Sequence, residues 1–416
     1  AVREKGMHPT TNLLIVHYGD DWIRGSEACL LNLLDSLSTN FKPVVWTNNQ
    51  VLVHELTAKG IAVHSSSFEL INLQQSAFNV KAPVELYKKA CAIISEHNVN
   101  LIHVNSGAPC QWMTLVATAK RIPMLCQLHS PYNLHDRFTL ALHSAQRLVA
   151  VSHAVAKPML DEGYPKQHLT VVHNGIPNID LSQSLDVREH LNIPANAKIL
   201  VSVGSLISRK GFDKLIQALA RLNSSQDKHH LIIIGEGSER LNLIKQIQSL
   251  DLNSRVHLVG EQSNVSAWLA GGCDLFVSGA RSEAFGLVLV EASLAGLAVV
   301  APNVGGISEV IEHESTGLLY ENGDNEIDSI VGAVNQLLQC PETCKVMASR
   351  GKQVAKKCFS LEGNTSQMEA IYKQLVEDGV NQSWGAWFSA LLRPFTTFFR
   401  TRFLPESKAV RGAHEA

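Results

Sequence analysis

Residues 282–292 read Ser-Glu-Ala-Phe-Gly-Leu-Val-Leu-Val-Glu-Ala. Two carboxylates, Glu283 and Glu291, stand eight positions apart around an apolar run that Gly286 opens. The run predicts a buried helix that begins near Gly286, on which Glu291 shares an apolar stripe with Leu287. A carboxylate on such a stripe is costly to bury unless a partner meets it. The stretch therefore predicts a helix with an unusual acid in its core-facing side.

The start of that helix is suited to bind an anion. Glu283 lies just before it, where free backbone N–H groups and the helix dipole attract negative charge. An anion-binding helix start beside two acids suits a sugar nucleotide, which carries phosphates and many hydroxyls. A plainer interpretation also fits, in which Glu283 caps the helix and Glu291 is a paired glutamate of the core. The stretch by itself leaves both interpretations open.

Short apolar runs rich in β-branched residues alternate with helical patterns along most of the chain. The predicted strands are Leu13–His17, Pro43–Trp46, Leu101–Val104, Pro123–Leu128, Arg147–Val151, Ile199–Val203, Leu231–Ile234, Val256–Val259, Leu275–Val277 and Ala298–Val300. Helices such as Glu27–Leu37 and Val84–Glu96 are predicted between them. This alternation predicts βαβ units and parallel sheets covered on both faces. The polar segment Asp180–Ala197 is the best candidate for a linker between two such domains.

Length and composition agree with two α/β domains. The chain has 416 residues, and its formal net charge of −2 gives no global attraction for nucleic acid. Its 8 cysteines are scattered without a Cys-x-x-Cys pair, so reduced thiols in a cytoplasmic protein are expected. Neither a signal peptide nor a run long enough to span a bilayer is visible in the sequence.

Loops that follow predicted strands carry candidate site residues, because ligands of such sheets bind beyond the carboxyl ends of the strands. After the first strand, Gly25 permits close backbone approach and Ser26 opens a helix. An anion site and a plain helix cap fit this pair equally. His129 directly follows the strand Pro123–Leu128. A lone histidine is usually incidental, but this position favours a functional role.

The second half of the chain carries two further loops of this kind. Arg209 and Lys210 are adjacent cations in a loop bounded by Gly204 and Gly211, just before a predicted helix. Two fixed cations there can neutralise a diphosphate leaving group, whereas two solvated surface cations are the plainer alternative. Gly235 lies in a Gly-Glu-Gly run after the next strand and is positioned to approach a nucleotide, on a motif that is weak by itself.

In combination, these motifs resemble the retaining glycosyltransferases of family 4, which have the GT-B fold. The resemblance extends from about Leu13 to about Val376 and is strongest in the second half. The matching motifs are Gly204-Ser205-Leu206 with Arg209-Lys210-Gly211, Ile234-Gly235-Glu236-Gly237, Val259-Gly260, Glu283 to Glu291, Gly305-Gly306-Ile307-Ser308-Glu309-Val310 and Thr316-Gly317-Leu318-Leu319. Such an ordered set is far more specific than any one motif.

The resemblance implies an α/β architecture of two doubly wound, Rossmann-like parallel-sheet domains with an interdomain cleft. An acceptor-side domain is expected over residues 7–180 and a domain that binds a nucleotide-sugar over 181–376. A C-terminal crossover helix with a basic and aromatic tail is expected over 377–416.

The same resemblance implies a role for each matching residue. Arg209 and Lys210 would contact the donor diphosphate, Glu291 the ribose hydroxyls, Glu283 the transferred sugar, and His129 the donor sugar from the first domain. The predicted donor-binding positions also include Gly204, Gly235, Phe285, Gly286, Leu287 and Val288. The predicted catalytic residues are Glu283, His129, Arg209 and Lys210, and the predicted acceptor-side residues are Gly25 and Ser26. Arg24 stands where the family commonly has a second glycine.

The activity implied is transfer of a sugar from a UDP- or GDP-sugar to a saccharide or glycolipid, with retention of configuration. Assembly of polysaccharide, lipopolysaccharide or glycolipid would use it. No Asp-x-Asp stands in a plausible metal-binding loop, so no metal and no cofactor are expected. Two alternatives stay open: a sugar-nucleotide epimerase of GT-B fold and a non-catalytic subunit that binds a sugar nucleotide.

The alternation stops beyond Asn381, where Trp384–Leu404 mixes aromatic residues and leucines with arginines. Apolar bodies with basic heads suit a membrane interface, and Pro394 divides the segment. The alternative is that the tail packs on the first domain, which is expected for residues before about Ala390. The tail thus predicts a peripheral contact with a membrane, in addition to packing of its first residues on the first domain.

Overall fold

A computed structural model describes residues 10–70, 81–179, 182, 184–222, 229–380 and 383–397. The chain forms two compact units. One comprises the described residues up to Val172 together with those from Thr365 onward, and the other runs from His173 to Asn364. Each unit is built on a parallel sheet, which confirms the predicted fold class.

The first unit contains a seven-stranded sheet in the order β3-β2-β1-β4-β5-β6-β7. Its strands are β1 (Thr11–His17), β2 (Phe41–Thr47), β3 (Ala62–Ser65), β4 (Leu101–Val104), β5 (Met124–Leu128), β6 (Arg147–Ala150) and β7 (Leu169–Val171). Its first helices are α1 (Gly25–Ser36), α2 (Gln50–Ala58), α3 (Lys81–Glu96), α4 (Cys110–Lys120), α5 (Leu134–Thr139) and α6 (His153–Asp161). The apolar run of β1 is fully buried, as expected for a central strand covered on both faces.

The second unit contains a six-stranded sheet in the order β10-β9-β8-β11-β12-β13. Its strands are β8 (Lys198–Val203), β9 (His229–Ile234), β10 (Val256–Gly260), β11 (Leu275–Val277), β12 (Ala298–Pro302) and β13 (Gly317–Tyr320). Its helices are α7 (Val187–His190), α8 (Phe212–Leu222), α9 (Arg240–Ser249), α10 (Val265–Leu269), α11 (Leu287–Leu294), α12 (Ile307–Val310), α13 (Glu326–Gln339) and α14 (Pro341–Cys358). The predicted helix start near Gly286 is confirmed.

Each sheet reverses its strand order at one point, between β1 and β4 in the first and between β8 and β11 in the second. Val16 pairs with Val104 at the first point, and Leu200 pairs with Leu275 at the second. Loops that leave such a point diverge to opposite faces of the sheet, which opens a crevice at the carboxyl edge. Most of the predicted site loops begin at or beside these two points.

The observed division of the chain differs from the predicted boundaries at 180 and 376. Helix α15 (Leu361–Asp378) buries Met368, Ile371 and Leu375 in the core of the first unit. Its Tyr372 hydroxyl also bonds the Nδ1 atom of His103 at 2.7 Å. The apolar stripe of α15 therefore assigns the helix to the first unit from Thr365 onward, and the first part of that unit ends at Val172.

The predicted linker Asp180–Ala197 is incorrect in its described part. Val187 and Ile193 are buried, and the N–H of Val187 donates to the carbonyl of Gly271 at 3.1 Å. A few apolar anchors within a polar segment dock it on the second unit, which composition alone did not reveal. Asp180 itself lies outside the described residues.

The C-terminal segment continues with α16 (Trp384–Leu391). In the described part of the chain, no helix combines the length and the apolar character that crossing a membrane requires. Residues 398–416, which include Phe398, Phe399 and Phe403 of the predicted tail, lie outside the described residues.

Candidate active site

The loop after β8 brings both predicted cations to Glu283. The Nζ atom of Lys210 donates to Oε2 of Glu283 at 2.5 Å, and Nη1 of Arg209 lies 3.8 Å from Oε1. Arg209 also donates to the carbonyl of Ser282 at 2.9 Å. The side chains of Lys210 and Glu283 are only 16% and 14% exposed, whereas that of Arg209 is 47% exposed. The structure therefore brings the adjacent pair Arg209 and Lys210 to Glu283, which lies 73 positions beyond Lys210 in the sequence.

The charges in this cluster do not cancel. One carboxylate, Glu283, serves two cations, Arg209 and Lys210. The nearby cation Arg281 has its own partner, since its guanidinium holds both carboxylate oxygens of Asp213 at 2.8 and 2.7 Å. The cluster is thus a partly desolvated site with an excess of positive charge, where an anion would be stabilised electrostatically.

The start of α11 lies beside this cluster and completes it. Gly286 occupies the N-cap with φ 102° and ψ 54°, a left-handed conformation that favours glycine. The first-turn N–H groups of Leu287 and Val288 have no helical carbonyl to bond, so they are available to an anion. Phe285 anchors the turn because its buried ring packs 5.5 Å from both His173 and Phe359.

The Gly305-Gly306 turn supports Glu283 from behind. The N–H of Gly306 donates to the carbonyl of Glu283 at 3.0 Å. A Cβ atom on Gly305 would lie 1.8 Å from that same carbonyl oxygen, so no other residue allows this approach. Glu309 follows in α12 and bonds Nε2 of His173 at 2.9 Å. The sequence analysis identified this motif without a role for it, and the structure shows that the motif holds the backbone of Glu283 in place.

Gly204 and Gly235 lie at the carboxyl edge of the second sheet, as predicted. Their N–H groups already donate within the sheet, from Gly204 to Ile234 at 3.0 Å and from Gly235 to Gly260 at 2.8 Å. Any contribution of these two glycines to ligand binding is therefore the space that they leave, rather than hydrogen bonds from their backbone.

Glu291 lies one helical turn into α11, and burial raises its pKa to about 7. Among the described residues its carboxylate has neither a hydrogen-bond nor an ion-pair partner. The interpretation of Glu291 as a paired core glutamate is therefore not what the structure shows. A carboxylate kept half-buried without a partner costs stability and is typical of a ligand-binding position.

The first unit carries a second polar cluster at its own switch point. It runs as a chain of hydrogen bonds: Oε1 of Glu27 to Nε2 of His17 at 2.9 Å, Nδ1 of His17 to Nδ2 of Asn105 at 3.1 Å, and Oδ1 of Asn105 to Nε2 of His129 at 3.3 Å. Asn105 donates through Nδ2, so His17 must carry its proton on Nε2. His129 then donates from Nε2 and leaves Nδ1 as an acceptor.

The electrostatics of this cluster favour a neutral His129. Burial, and to a smaller extent the neighbouring His17, lowers the pKa of His129 to about 4. Burial acts to raise the pKa of Glu27, but the hydrogen bond from His17 and those from nearby backbone N–H groups outweigh it and hold that pKa below its ordinary value. The sequence predicted His129 and missed His17, Glu27 and Asn105.

The predicted acceptor-side residues Gly25 and Ser26 form the first turn of α1. The N-cap is Arg24, so Ser26 is not the helix cap that its position suggested. Arg24 has φ −129° and needs no glycine, which explains how the chain accommodates arginine where the family commonly has glycine. Its guanidinium lies 3.9 Å above the ring of Trp22, and both side chains are exposed.

Potential metal ligands occur elsewhere in the first unit. His64, Glu96 and His97 bring their ligand atoms within 4.8 Å of one another, with the two Nε2 atoms 2.9 Å apart. None of them is a predicted site residue. No comparable group of three His, Cys, Asp or Glu side chains occurs elsewhere in the part of the chain that the structure covers.

Family models match both units. The model described as "Glycosyl transferases group 1" matches residues 184–354, and the model described as "Glycosyltransferase Family 4" matches residues 23–178. The two matches contain every predicted site residue. The chain belongs to the family 4 glycosyltransferases. It is therefore an enzyme of the transferase class.

Curated relatives of this glycosyltransferase agree. It is 27% identical over 312 residues to N-acetyl-alpha-D-glucosaminyl L-malate synthase of Bacillus anthracis, which is 71% of this chain and 80% of the relative. It is 31% identical over 193 residues to the lipopolysaccharide core biosynthesis glycosyltransferase LpsD of Rhizobium meliloti, which is 46% of this chain and 53% of the relative. Among solved structures, HepE of Anabaena in complex with UDP matches with a TM-score of 0.75 at 22% identity, over 88% of this chain and 100% of HepE.

The raised pKa of Glu291 predicts pH-dependent nucleotide binding by this glycosyltransferase. If Glu291 accepts hydrogen bonds from ribose hydroxyls, as the resemblance implies, its ionised form binds them better, so affinity for a nucleoside diphosphate should rise as the pH passes through about 7. Calorimetry between pH 6 and pH 8 measures this. Glu291→Gln is the control, because the rise that phosphate ionisation alone produces should persist in it. Identical pH profiles for the two proteins would contradict the assignment.

The raised pKa of Glu291 also predicts that its contribution to the stability of the fold falls as the pH rises, whereas the affinity for nucleotide rises. The folded state holds a proton on Glu291 up to about pH 7, whereas the unfolded state releases it near the ordinary glutamate pKa of 4.5. The contribution of Glu291 to the free energy of unfolding therefore falls as pH rises across this window. In melting curves, the melting temperature of Glu291→Gln should rise relative to that of the wild type between pH 5 and pH 8.

The hydrogen-bond chain behind His129 predicts that Asn105→Ala slows transfer without weakening nucleotide binding. Losing the acceptor for His129 Nε2 frees the ring and its tautomer, and misplacement of a positioned group costs about ten- to a hundredfold. Steady-state kinetics measure kcat, calorimetry measures nucleotide affinity, and ¹⁵N NMR reports the His129 tautomer. An unchanged tautomer alongside a lowered kcat would rule out positioning as the cause.

Proposed function

We propose that this enzyme transfers a sugar from a nucleotide-sugar donor to a saccharide or glycolipid acceptor with retention of configuration. The observation that carries the proposal is the convergence of Arg209, Lys210 and Glu283 beside the start of α11. The unpartnered carboxylate of Glu291 lies on the same helix. Cations, an anion-binding helix start and an acceptor for hydroxyls match the diphosphate, the phosphate oxygens and the ribose of such a donor.

The chemistry follows from where charge develops. The bond between the anomeric carbon and the diphosphate oxygen breaks, which builds negative charge on the diphosphate and positive charge on the sugar. Arg209, Lys210 and the first N–H groups of α11 stabilise the former. Glu283, held by both cations, is positioned to act on the sugar. The acceptor hydroxyl attacks on the face that the diphosphate leaves, and a leaving phosphate oxygen takes its proton.

A uridine nucleotide is the donor to test first. HepE of Anabaena, which shares this fold, has been solved with UDP and with UDP-glucose. The likeness at 22% identity supports the fold alone, and the ligand screen described below tests the base. A GDP-sugar is the second candidate.

Assembly of a polysaccharide or lipopolysaccharide is the process that we assign. LpsD and LpsE of Rhizobium meliloti, which are 31% and 32% identical to parts of this chain, are named for lipopolysaccharide core biosynthesis. The first unit supports a saccharide acceptor, because Tyr18 and Trp22 are 36% and 40% exposed beside α1. Exposed aromatic rings of this kind offer flat surfaces on which sugar rings stack.

A ligand screen followed by a turnover assay tests the proposal. UDP, GDP, ADP and their sugars should raise the melting temperature by different amounts in a thermal-shift measurement, because a ligand stabilises the folded state that it binds. The best donor should then release its diphosphate slowly without acceptor, and Lys210→Ala should not. Epimerised donor without release would favour an epimerase, and binding without either reaction would favour a non-catalytic subunit.

We expect transfer to proceed without a metal ion, because protein cations face the diphosphate. Activity should survive EDTA, with Lys210→Ala losing activity in the presence and absence of Mg²⁺. Full loss in EDTA that Mg²⁺ or Mn²⁺ restores would contradict this part of the proposal.

We also infer that the enzyme works at a membrane surface. Helix α16 and the residues after it leave Trp384, Phe388, Leu392 and Phe395 exposed. A row of large apolar side chains on a helix suits the interface of a bilayer.

A further inference from the structure

A cavity of about 290 Å³ lies within the first unit, under α16. Its polar lining includes Arg147, Arg393 and His168, with Tyr164 beside them and the exposed Asp378 among the lining residues. Ala390 of α16 closes one wall. None of these residues belongs to the two clusters described above, so the cavity is a separate site.

The arginines that line the cavity have no ion-pair partner among the described residues. Arg147 is only 9% exposed, and its Nη1 atom makes one long contact, at 3.5 Å, with the carbonyl of Gln167. Among the described residues, no carboxylate lies within 4.0 Å of the guanidinium of Arg147 or of Arg393. The nearby Glu162 is already engaged by Arg137 and His143. A buried guanidinium without a counter-ion is costly, so an anion in the cavity would stabilise the fold.

The charges of the two arginines converge on this space. Burial, together with the charges of Arg147 and Arg393, lowers the pKa of His168. The charges of both arginines therefore act at His168, and an anion bound beside them would favour its protonation.

The segment from Trp384 to Phe395 has two faces. One face, with Ala386, Ala390 and Arg393, lines the cavity. The opposite face carries Trp384, Phe388 and Leu392, which are 53%, 58% and 39% exposed. The ring of Phe395 continues this face and packs 4.8 Å from Phe138 on α5. An apolar face and an anion-binding cavity thus share one short segment.

We propose that the cavity binds the phosphate of an anionic phospholipid while the apolar face of α16 lies in the bilayer interface. An anionic lipid accounts for both features. A soluble anion would leave the exposed apolar face unexplained, and an uncharged bilayer would leave the arginines without a counter-ion. The inference rests on the proposed membrane role, and it does not depend on the donor chemistry.

Vesicle co-sedimentation of the full chain tests the proposal. The protein should sediment with phosphatidylglycerol-containing vesicles more than with phosphatidylcholine vesicles, and salt should weaken the binding. Arg393→Gln and Arg147→Gln should each lower the partition coefficient about fivefold, the effect of one cation near an anionic surface. Lys120→Gln removes an exposed cation at the end of α4 in the same unit, remote in sequence from the cavity lining, and should change little. Phe388→Ser should lower binding to both vesicle types.

Each other outcome has a defined meaning. Wild-type binding that neither arginine variant lowers would overturn the headgroup site and leave the membrane role standing. Failure of the wild type to bind any vesicle would overturn both, while transfer to a soluble acceptor would still test the proposed function. If glycerol 3-phosphate raises the melting temperature and vesicles do not, the site takes a soluble anion and the inference is wrong. Melting curves exclude unfolded variants, and Arg393→Gln, at a less buried position, guards against misfolding of Arg147→Gln.

Discussion

Lys210→Ala is expected to lower kcat/KM by roughly 2–4 kcal/mol of transition-state stabilisation, and Arg209→Ala by an amount in the lower part of that range. The difference follows from burial, because the Lys210 side chain is 16% exposed and that of Arg209 is 47% exposed. Screening by water weakens the more exposed charge. Initial rates with a saturating acceptor and varied donor measure the effect.

Lys198 provides a control at the amino-terminal edge of the same sheet. Lys198, at the start of β8, pairs with Asp274 at 3.0 Å and is 43% exposed. Lys198→Ala removes a comparable ion pair from the second unit without touching the loops at the carboxyl edge, and it should leave transfer nearly unchanged. Equal losses in Lys198→Ala and Lys210→Ala would show that destabilisation of the unit, rather than a missing phosphate contact, lowers the rate.

Sequence patterns located the central strands well because these strands are buried on both faces and therefore continuously apolar. Leu101–Val104 and Leu275–Val277 match the structure residue for residue. The missed strands β3, β7 and β13 lie at or beside the sheet edges. Edge strands such as Ala62–Ser65 are half-exposed and short, so their periodicity resembles that of a loop.

The site divides in the same way between what the sequence predicts and what it hides. Arg209, Lys210 and Glu283 could be grouped because each lies in a loop after a strand, and the switch point then brings those loops together. The hydrogen-bond chain from Glu27 to His129 could not be predicted, because its members come from the end of a strand, the first turn of a helix and two loops. Only the register of β1 with β4 aligns His17 with Asn105. The unpartnered state of Glu291 likewise requires coordinates.

Glu283→Gln and Glu291→Gln are expected to affect different steps. Glu283 is held by Lys210 and Arg209, so its neutralisation leaves the two cations free for the diphosphate. Affinity for the bare nucleoside diphosphate should therefore be retained or increased, while kcat falls by about a hundredfold if the carboxylate acts on the sugar. A variant that binds the nucleoside diphosphate well and turns over poorly would show that Glu283 acts in the transfer step and is not needed to bind the diphosphate.

Glu291→Gln should instead weaken the nucleoside diphosphate by about ten- to a hundredfold, since hydrogen bonds from ribose hydroxyls to a charged acceptor contribute about 1.5–3 kcal/mol. Titration calorimetry of both variants with the ribo- and 2′-deoxyribonucleotide forms provides the sharpest comparison. The wild type and Glu283→Gln should prefer the ribonucleotide, and Glu291→Gln should lose that preference. Because only Glu291 is proposed to face the 2′-hydroxyl, equal discrimination by all three proteins would show that the ribose is bound elsewhere. Equal loss of affinity in both variants would show that the two acids do not divide the donor between them.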